Sequence, residues 1–404
     1  MLIVQKYGGT SVGDLERIEN VVKRVAKTKE EGHDVIVVVS AMSGETNKLT
    51  DFAHYFSKNP SPREMDLLLS AGERVTSALL AIALQEKGFD AIALTGRQAG
   101  IYTNSVHTSA RIDKIDTKSI KDHLNKGKIV VVAGFQGITK EDEVSTLGRG
   151  GSDLSAVAIA GAVNADLCEI YTDVDGVYTT DPRIERRAQK IDKISYDEML
   201  EFASMGAKVL QNRSVELAKK LNVNLVTRSS FNDNEGTLIT KEDNIMEQPI
   251  VSGVALDKNQ ARITLRNIKD EPGIAAKIFS TLAVNNINVD MIIQNVGQDG
   301  TANIGFTIPE NELDKTKTVL RRLDASENLE FDSNIAKVSI VGVGMKSHSG
   351  VASRAFSALA KENINIEMIS TSEIKISMIV AEKYGELAVR ILHEAYGLDN
   401  RDDS

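Results

Sequence analysis

Apolar residues in the first 240 positions switch between two periods. Short runs rich in β-branched residues occupy 2–5, 35–39, 91–94, 129–133, 167–171 and 223–226, which is the length and composition of buried strands. Between several of them, 15–29, 65–85, 152–163 and 195–221 have helical spacing. In the second of these, Met65, Leu68, Leu69, Val75, Leu79 and Ile82 recur at steps of mostly three or four, which predicts one core-facing stripe. Strands alternating with helices predict an α/β domain with a mainly parallel sheet flanked by helices. Ligands of such sheets collect at the carboxyl ends of the strands.

The pattern changes after 241–249, a charged and polar stretch holding Met246, where separate translation of the remainder would start. Beyond it the chain repeats itself. Residues 279–292 match 356–369 at an offset of 77, with nine of fourteen positions identical and Asp290/Glu367 and Val289/Ile366 as conservative differences. Ile263/Ile340 and Gly273/Gly350 keep the offset. Each copy reads as strand, Gly-containing turn, helix, strand. Two copies predict a paired module, since a solenoid needs at least about three. The expected boundaries are 1–243 for a large α/β domain, then 250–332 and 333–404 for two small α+β units.

Length agrees: 404 residues at roughly 150 per domain make two or three domains. With 42% hydrophobic and 26% charged residues the chain is globular rather than disordered. The 57 acidic against 48 basic residues give a net charge of −9, which argues against broad nucleic-acid or membrane-surface binding. Small anionic substrates stay within reach, because a few placed cations and backbone N–H groups bind them locally. Cys168 is the single cysteine, so no intramolecular disulfide forms; a reducing compartment and a cytoplasmic protein are expected. Its apolar neighbours make it a packed strand residue rather than a nucleophile. The apolar runs 35–39 and 129–135 fall short of the roughly 20 residues that span a bilayer. The opening Met-Leu-Ile-Val-Gln-Lys reads as a strand, not a secretory signal.

Three glycine-rich segments follow predicted strands. Lys6-Tyr7-Gly8-Gly9-Thr10-Ser11-Val12-Gly13 offers bare backbone, a cation and two hydroxyls ahead of a helix start near Asp14, as an anion site would. A tight strand-to-helix turn explains the same residues equally well. Leu147-Gly148-Arg149-Gly150-Gly151-Ser152-Asp153 surrounds one guanidinium with glycines; Ser152 or Asp153 is expected to cap the next helix, and Arg149 to grip a carboxylate. Tyr171-Thr172-Asp173-Val174-Asp175-Gly176-Val177-Tyr178-Thr179-Thr180-Asp181-Pro182-Arg183 combines carboxylates with turn signals. It reads as a nucleotide-site segment, a cation site or plain turns. Without His or Cys company, magnesium carried in with a phosphate ligand suits it better than a transition metal. Glu73 fits a substrate ammonium or a solvated helix face, and Lys208 is a second cation beside a glycine. His33, His54, His107, His123, His348 and His393 have no metal-ligand spacing and read as structural or surface residues. No Walker loop and no protein-kinase catalytic loop is present, and 338–344 lacks the third glycine of a dinucleotide fingerprint. The residues alone describe a non-P-loop enzyme handling a phosphate-bearing ligand and a carboxylate.

Together these motifs resemble the aspartokinases of the amino-acid kinase family. Lys6–Val12 is similar to the family's opening block, and Ser40-Ala41-Met42-Ser43-Gly44-Glu45-Thr46-Asn47 to its second loop, with Glu45 where many members have Val or Lys. Residues 70–75, 147–153, 171–183 and 206–210 match further blocks, and the repeats resemble tandem ACT domains. The resemblance implies an amino-acid-kinase-like fold with two ACT-like (ferredoxin-like) regulatory units. It also implies an ATP-dependent phosphotransferase with a carboxylate acceptor, making 4-phospho-L-aspartate for lysine, threonine, methionine and diaminopimelate biosynthesis. Carried over position by position, Lys6, Arg149 and Lys208 are catalytic; Thr46, Glu73, Phe135, Arg149 and Ser152 bind aspartate. Lys6, Gly8, Gly9, Thr172, Asp173, Tyr178, Arg183 and Lys208 bind ATP, with Mg2+ arriving on the nucleotide and no metal site of the protein's own. Asp270, Gly273, Ile274, Ala275, Asp290, Gln294, Asn365, Ile366 and Ser372 contact an amino-acid effector, lysine or threonine or both. Ser349 stands where proline is common, which sets the second turn apart. The implied partners are small molecules and further copies of the chain, with no nucleic acid or membrane. Alternative readings are an ACT-based sensor with a decayed kinase domain, or a sibling kinase with another acceptor.

Overall fold

The computed structural model describes residues 1–204, 209–242, 250–297, 300–322 and 328–399. The expected catalytic Lys208 and the boundary residue Met246 lie outside them. The chain forms two compact units, Met1–Val177 with Lys190–Met246, and Tyr178–Gln189 with Glu247–Ser404.

The first unit is built on an eight-stranded sheet in the order Lys193–Ser195, Thr237–Thr240, Leu225–Ser229, Leu167–Thr172, Leu2–Tyr7, Asp34–Val39, Ile129–Ala133, Ala91–Leu94. Every neighbouring pair described is parallel except Leu225–Ser229 with Thr237–Thr240. Val35 to Val39 and Ile129 to Ala133 are buried on both faces, the signature of a sheet covered by helices. Helices Leu15–Glu30 and Ala71–Glu86 pack Ile18, Val21, Val25, Leu80 and Leu84 against Tyr7, Val35 and Val37. Helix Gly151–Val163, buried almost all round, covers the side to which Lys6 points. A smaller sheet, Ile112–Ile115, Ile101–Thr103, Gln136–Ile138 and Val144–Thr146, leads directly into the Arg149 loop.

The expected helix 65–85 is two helices, Pro62–Leu69 and Ala71–Glu86, meeting at Ser70. Its stripe is also misplaced, since Val75 is 53% and Ile82 61% exposed while Glu73, Thr76, Leu80, Ala81 and Leu84 are buried. The segment is apolar on several sides, so spacing alone does not choose a face. The choice is made by a close approach: a Cβ on Gly72 would lie 2.7 Å from Ala41 Cβ. Among the described residues, Pro62–Glu86 is long and apolar enough to cross a membrane by length and composition. With Asp66 and Glu73 buried along it and Leu80 and Leu84 in the core, it acts as a core element here. The expected helix 195–221 is described as Tyr196–Ser204 and Asn212–Leu221.

The second unit contains two four-stranded antiparallel sheets. The first repeat supplies one whole sheet, Ile292–Val296, Thr301–Pro309, Gln260–Lys269 and Leu329–Asp332. The repeat is exact in geometry: Gly273 and Gly350, both left-handed, start eleven-residue helices Ile274–Val284 and Val351–Lys361, and Asn286 and Asn363 are left-handed just beyond. The second sheet departs from the expected boundaries. Its edge strand is Gly253–Asp257, which pairs with Ile335–Val341 in the position that Leu329–Asp332 fills in the first sheet. The last helix described, Gly385–Ala395, is followed by no described strand, and the earlier segment covers the edge that would stay open. Ion pairs that cross between the repeats include Lys337 with Asp290, and Arg262 with Glu367 at 2.5 Å. The two acidic residues are equivalents at the offset of 77.

Residues 178–189 also cross an expected boundary, since they pack with this unit. Thr179 Oγ1 meets buried His393 Nε2 at 2.8 Å, Thr179 O accepts from Val254 N at 2.7 Å, and Arg187 pairs with Asp399 at 2.8 Å. Ile184 packs on the second repeat's core.

The packing face makes a direct prediction. Leu80→Ala should cost about 2–5 kcal/mol of stability, and Ile82→Ala less than about 0.5 kcal/mol. Urea denaturation followed by circular dichroism measures both, and equal losses would return the packing stripe to Val75 and Ile82.

Candidate active site

Three strand-to-helix junctions meet at the carboxyl end of the large sheet. After the first strand the chain turns through Gly8, whose N–H donates to Tyr171 O at 3.2 Å and whose carbonyl accepts from Ser11 and Val12. The next helix, Leu15–Glu30, starts at Asp14 as expected, and Asp14 caps it by accepting from Arg17 N at 2.8 Å. Beneath the turn, Tyr7 and Tyr171 stack with ring centroids 4.6 Å apart. Burial, with Glu169 adjacent, pushes the Tyr171 hydroxyl up to about 12, so it acts as a neutral donor to Glu169. Cys168 is fully buried and burial raises its thiol, in keeping with a packed strand residue.

Two further junctions leave helix N-termini uncapped. Gly44, at φ 81°, precedes helix Glu45–Phe56, and Gly150, at φ 72°, precedes helix Gly151–Val163; neither has a side-chain cap. The expectation that Ser152 or Asp153 caps the latter is therefore corrected. Glu45 N and Gly151 N donate back to Met42 O and Gly148 O at 3.0 Å, while the next N–H groups of each first turn have no intrahelical partner, and the aligned peptide dipoles favour an anion there. Gly150 also needs to be glycine for space, since a Cβ would lie 2.2 Å from Gln211 Cγ.

These junctions enclose a cavity of about 410 Å³. It brings together Lys6, Gly9, Thr46, Glu73, Phe135, Arg149 and Ser152, all expected from the sequence, with Ser40, Ala41 and Asp153, which were not. Asp153 is the important addition. Its carboxylate lies 2.5 Å from Lys6 Nζ, with the two side chains 10% and 12% exposed, so helix and strand are joined by a buried ion pair. Its place beside Ser152 in the glycine-arginine segment was the available clue. Glu73 Oε1 accepts from Ala41 N at 3.1 Å, while buried Oε2 has no hydrogen-bond partner among the described residues. Burial pushes this carboxyl up to about 7, opposed by the Ala41 hydrogen bond. Arg149 is exposed and forms no ion pair among the described residues. Phe135, at φ 68°, holds a backbone conformation rare for a bulky residue, and its N–H donates to Ser155 Oγ.

The other expected nucleotide residues divide between the two units. Gly8, Thr172 and Asp173 stand at the same strand ends, with Thr172 Oγ1 donating to Asp173 Oδ1 at 2.9 Å. Tyr178 and Arg183 belong to the second unit. The Arg183 guanidinium is engaged by Asp181 at 2.6 Å, which lowers the Asp181 carboxyl. Among the described residues no three His, Cys, Asp or Glu side chains gather to hold a metal.

The expected effector residues fall at turns and edges of the second unit. Asp270 donates its N–H to Gly300 O at 2.9 Å; Gly273 opens the helix carrying Ile274 and Ala275; Gln294 lies on the exposed edge strand Ile292–Val296. Asn365 and Ile366 precede strand Met368–Thr371, Ser372 N donates to Lys375 O, and the Asp290 carboxylate is held by Lys337.

A model of the amino acid kinase family matches residues 1–228, and one of the ACT domain matches 265–322 and 338–396. The chain is 63% identical over 404 residues to an aspartokinase of Helicobacter pylori, across 99% of this chain and 100% of that one. Aspartokinase III of E. coli, solved in complex with aspartate and ADP in an R-state, superposes with a TM-score of 0.78 at 27% identity, covering 98% of this chain and 99% of that one. The same enzyme with lysine and aspartate in a T-state gives 0.79 at 27% identity, covering 97% and 99%. The chain therefore belongs to the amino acid kinase family, among its aspartokinases, with ACT domains following the kinase domain.

Proposed function

We propose that the cavity transfers the γ-phosphoryl group of ATP to the side-chain carboxylate of L-aspartate, giving 4-phospho-L-aspartate, the first step toward lysine, threonine, methionine and diaminopimelate. The observation that carries this is the pairing of opposite features in one cavity: an unpaired Glu73 oxygen, an unengaged Arg149 guanidinium, and Lys6 beside two uncapped helix N-termini. Glu73 receives the substrate ammonium and Arg149 its α-carboxylate, with Thr46, Phe135 and Ser152 lining the space between. That leaves the side-chain carboxylate to face Lys6. The acceptor is already an anion, so no strong base is required. The obstacle is repulsion between a carboxylate and a triphosphate, which grows where water is excluded. Lys6 and the free N–H groups offset it and stabilise charge spreading over the transferred group, with Lys208, Gly8, Gly9, Thr172, Asp173, Tyr178 and Arg183 assigned to the nucleotide. Bound magnesium supplies further neutralisation of phosphate charge.

Regulation is proposed through the ACT units, with lysine, threonine or both shifting an equilibrium by binding one state more tightly. The E. coli enzyme solved with lysine supports this reading. Self-association is proposed as well. The first sheet ends on Ile292–Val296, where Ile292 is 52% and Val296 66% exposed, an open apolar edge of the kind that a second copy covers.

Lys6→Ala should lower aspartate-dependent ATP consumption at least about a hundredfold, the scale of losing one electrostatic donor; near-normal turnover would remove Lys6 from the chemistry. Running glutamate beside aspartate, and adding lysine and threonine singly and together, tests acceptor and effector in the same assay. Aspartate binding should also expel a proton. An ammonium beside Glu73 favours its ionised form and lowers a carboxyl that stands near 7 in the empty cavity. At pH 7 that predicts release of about half a proton per aspartate, fading above about pH 8.5. Calorimetry in buffers of different ionisation enthalpy reads this directly, and an unchanged signal in Glu73→Gln would assign the proton elsewhere.

A further inference from the structure

The structure assigns Asp66 as a positioning residue for the carboxylate grip of Arg149, an inference that rests on the aspartate-binding role proposed for that arginine. Asp66 lies in helix Pro62–Leu69, outside the cavity, and is wholly buried. Its Oδ1 accepts from Thr146 Oγ1 at 2.5 Å and from Thr108 N at 3.0 Å; its Oδ2 accepts from Thr108 N at 3.1 Å and faces His107 Nδ1 at 2.7 Å. On its outer side His107 Nε2 approaches Glu143 at 3.6 Å, and Glu143 is held by Arg63 Nε at 2.7 Å.

These donors come from the two segments that flank the arginine loop. Thr146 ends strand Val144–Thr146, three residues before Arg149. Thr108 is a β-branched residue at φ 65°, a strained conformation that its hydrogen bonds to Asp66 hold in place. Its carbonyl comes so near Gly148 that a Cβ there would lie 3.1 Å away. The two segments are joined again by Ala110 N donating to Thr146 O at 2.9 Å. Arg213 braces the loop separately, through Leu147 O at 2.7 Å and Ala110 O at 3.2 Å.

A buried carboxylate is a poor choice for stability alone, because a well-packed apolar group often serves as well or better. It is a good choice for geometry, since three groups, Thr146 Oγ1, Thr108 N and His107 Nδ1, hold it from different residues. Asp66 sets the height and angle at which strand Val144–Thr146 delivers Gly148 and Arg149 to the cavity. An exposed guanidinium without an ion pair depends on its backbone for placement, and a preset backbone spares ordering cost when substrate binds.

The test compares steady-state kinetics and melting of the full chain for Asp66→Asn, Thr146→Val, Thr146→Ser and Arg149→Lys. Thr146→Val and Asp66→Asn should raise KM for aspartate about tenfold or more, with KM for ATP within about twofold, as expected for lost positioning at one substrate. Thr146→Ser keeps the hydroxyl and should restore wild-type KM. Should Asp66→Asn fail to fold, Thr146→Val decides by itself. The inference is overturned if Thr146→Val leaves KM for aspartate unchanged, or if serine fails to rescue it. A raised KM in Arg149→Lys alone would keep the role of Arg149 and remove that of Asp66; an unchanged KM in Arg149→Lys would remove both.

Discussion

One buried ion pair organises the working end of the kinase sheet. Lys6 stands on a central strand between Asp34–Val39 and Leu167–Thr172, and Asp153 stands in the first turn of helix Gly151–Val163. At 2.5 Å, and with little access to water, neither charge is tolerable without the other; removing one partner of such a pair costs about 3–5 kcal/mol. The pair therefore sets where the helix begins relative to the strand. It also places the Lys6 ammonium beside the free N–H groups of that same helix. A protein of net charge −9 has to make positive potential locally, and peptide dipoles do this with no formal charge of their own. Loss of Lys6 thus strands Asp153 as well as removing a donor, so a melting measurement must accompany any kinetic reading of that position.

Several features around the cavity are unfavourable for folding when taken singly. Two helices start without side-chain caps, Glu73 keeps an unpaired oxygen, and Phe135 is left-handed. A carboxyl standing near 7 is itself a sign of an environment that resists charge until a cation arrives. Features of this kind persist where surrounding contacts hold them, and they gather at functional sites. Here the supports are local and identifiable: Ser155 on Phe135, Ala41 on Glu73, and the glycine contacts that let Ala41 and Gln211 approach helix N-termini. The site is a set of costs concentrated in one place and held by the rest of the domain.

The strands and the repeat were legible in the sequence because each signal is contained within a few residues. Continuous β-branched runs marked six strands of the large sheet, missing only the short Lys193–Ser195 and Thr237–Thr240, and the offset of 77 marked two modules with matching left-handed glycines and asparagines. What periodicity does not carry is which neighbour a surface meets. Val75 and Ile82 fit a stripe by spacing, yet the buried side is the one bearing Glu73 and Leu80, because Gly72 lets that side approach Ala41. Strand Gly253–Asp257 joins a strand more than 75 residues later in the chain, a pairing with no local mark. Asp153 was visible as a residue but not as a partner. Helix-cap chemistry suggested one role for it, and only the meeting of the first strand with helix Gly151–Val163 shows the other.

The second unit carries a parallel constraint with the signs arranged differently. Asp290 and Glu367 occupy equivalent positions in the two repeats, and each is held by a cation from the opposite repeat, Lys337 and Arg262. Lys337 is only 4% exposed, so its ammonium depends on Asp290 and on Asp257 at 4.0 Å. A ligand ammonium that took Asp290 as its partner would have to displace Lys337, leaving a buried cation with one distant acid. That displacement would be felt in both repeats, because Asp290 leads into the first sheet's strand Ile292–Val296 while Lys337 and Asp257 lie on paired strands of the second sheet.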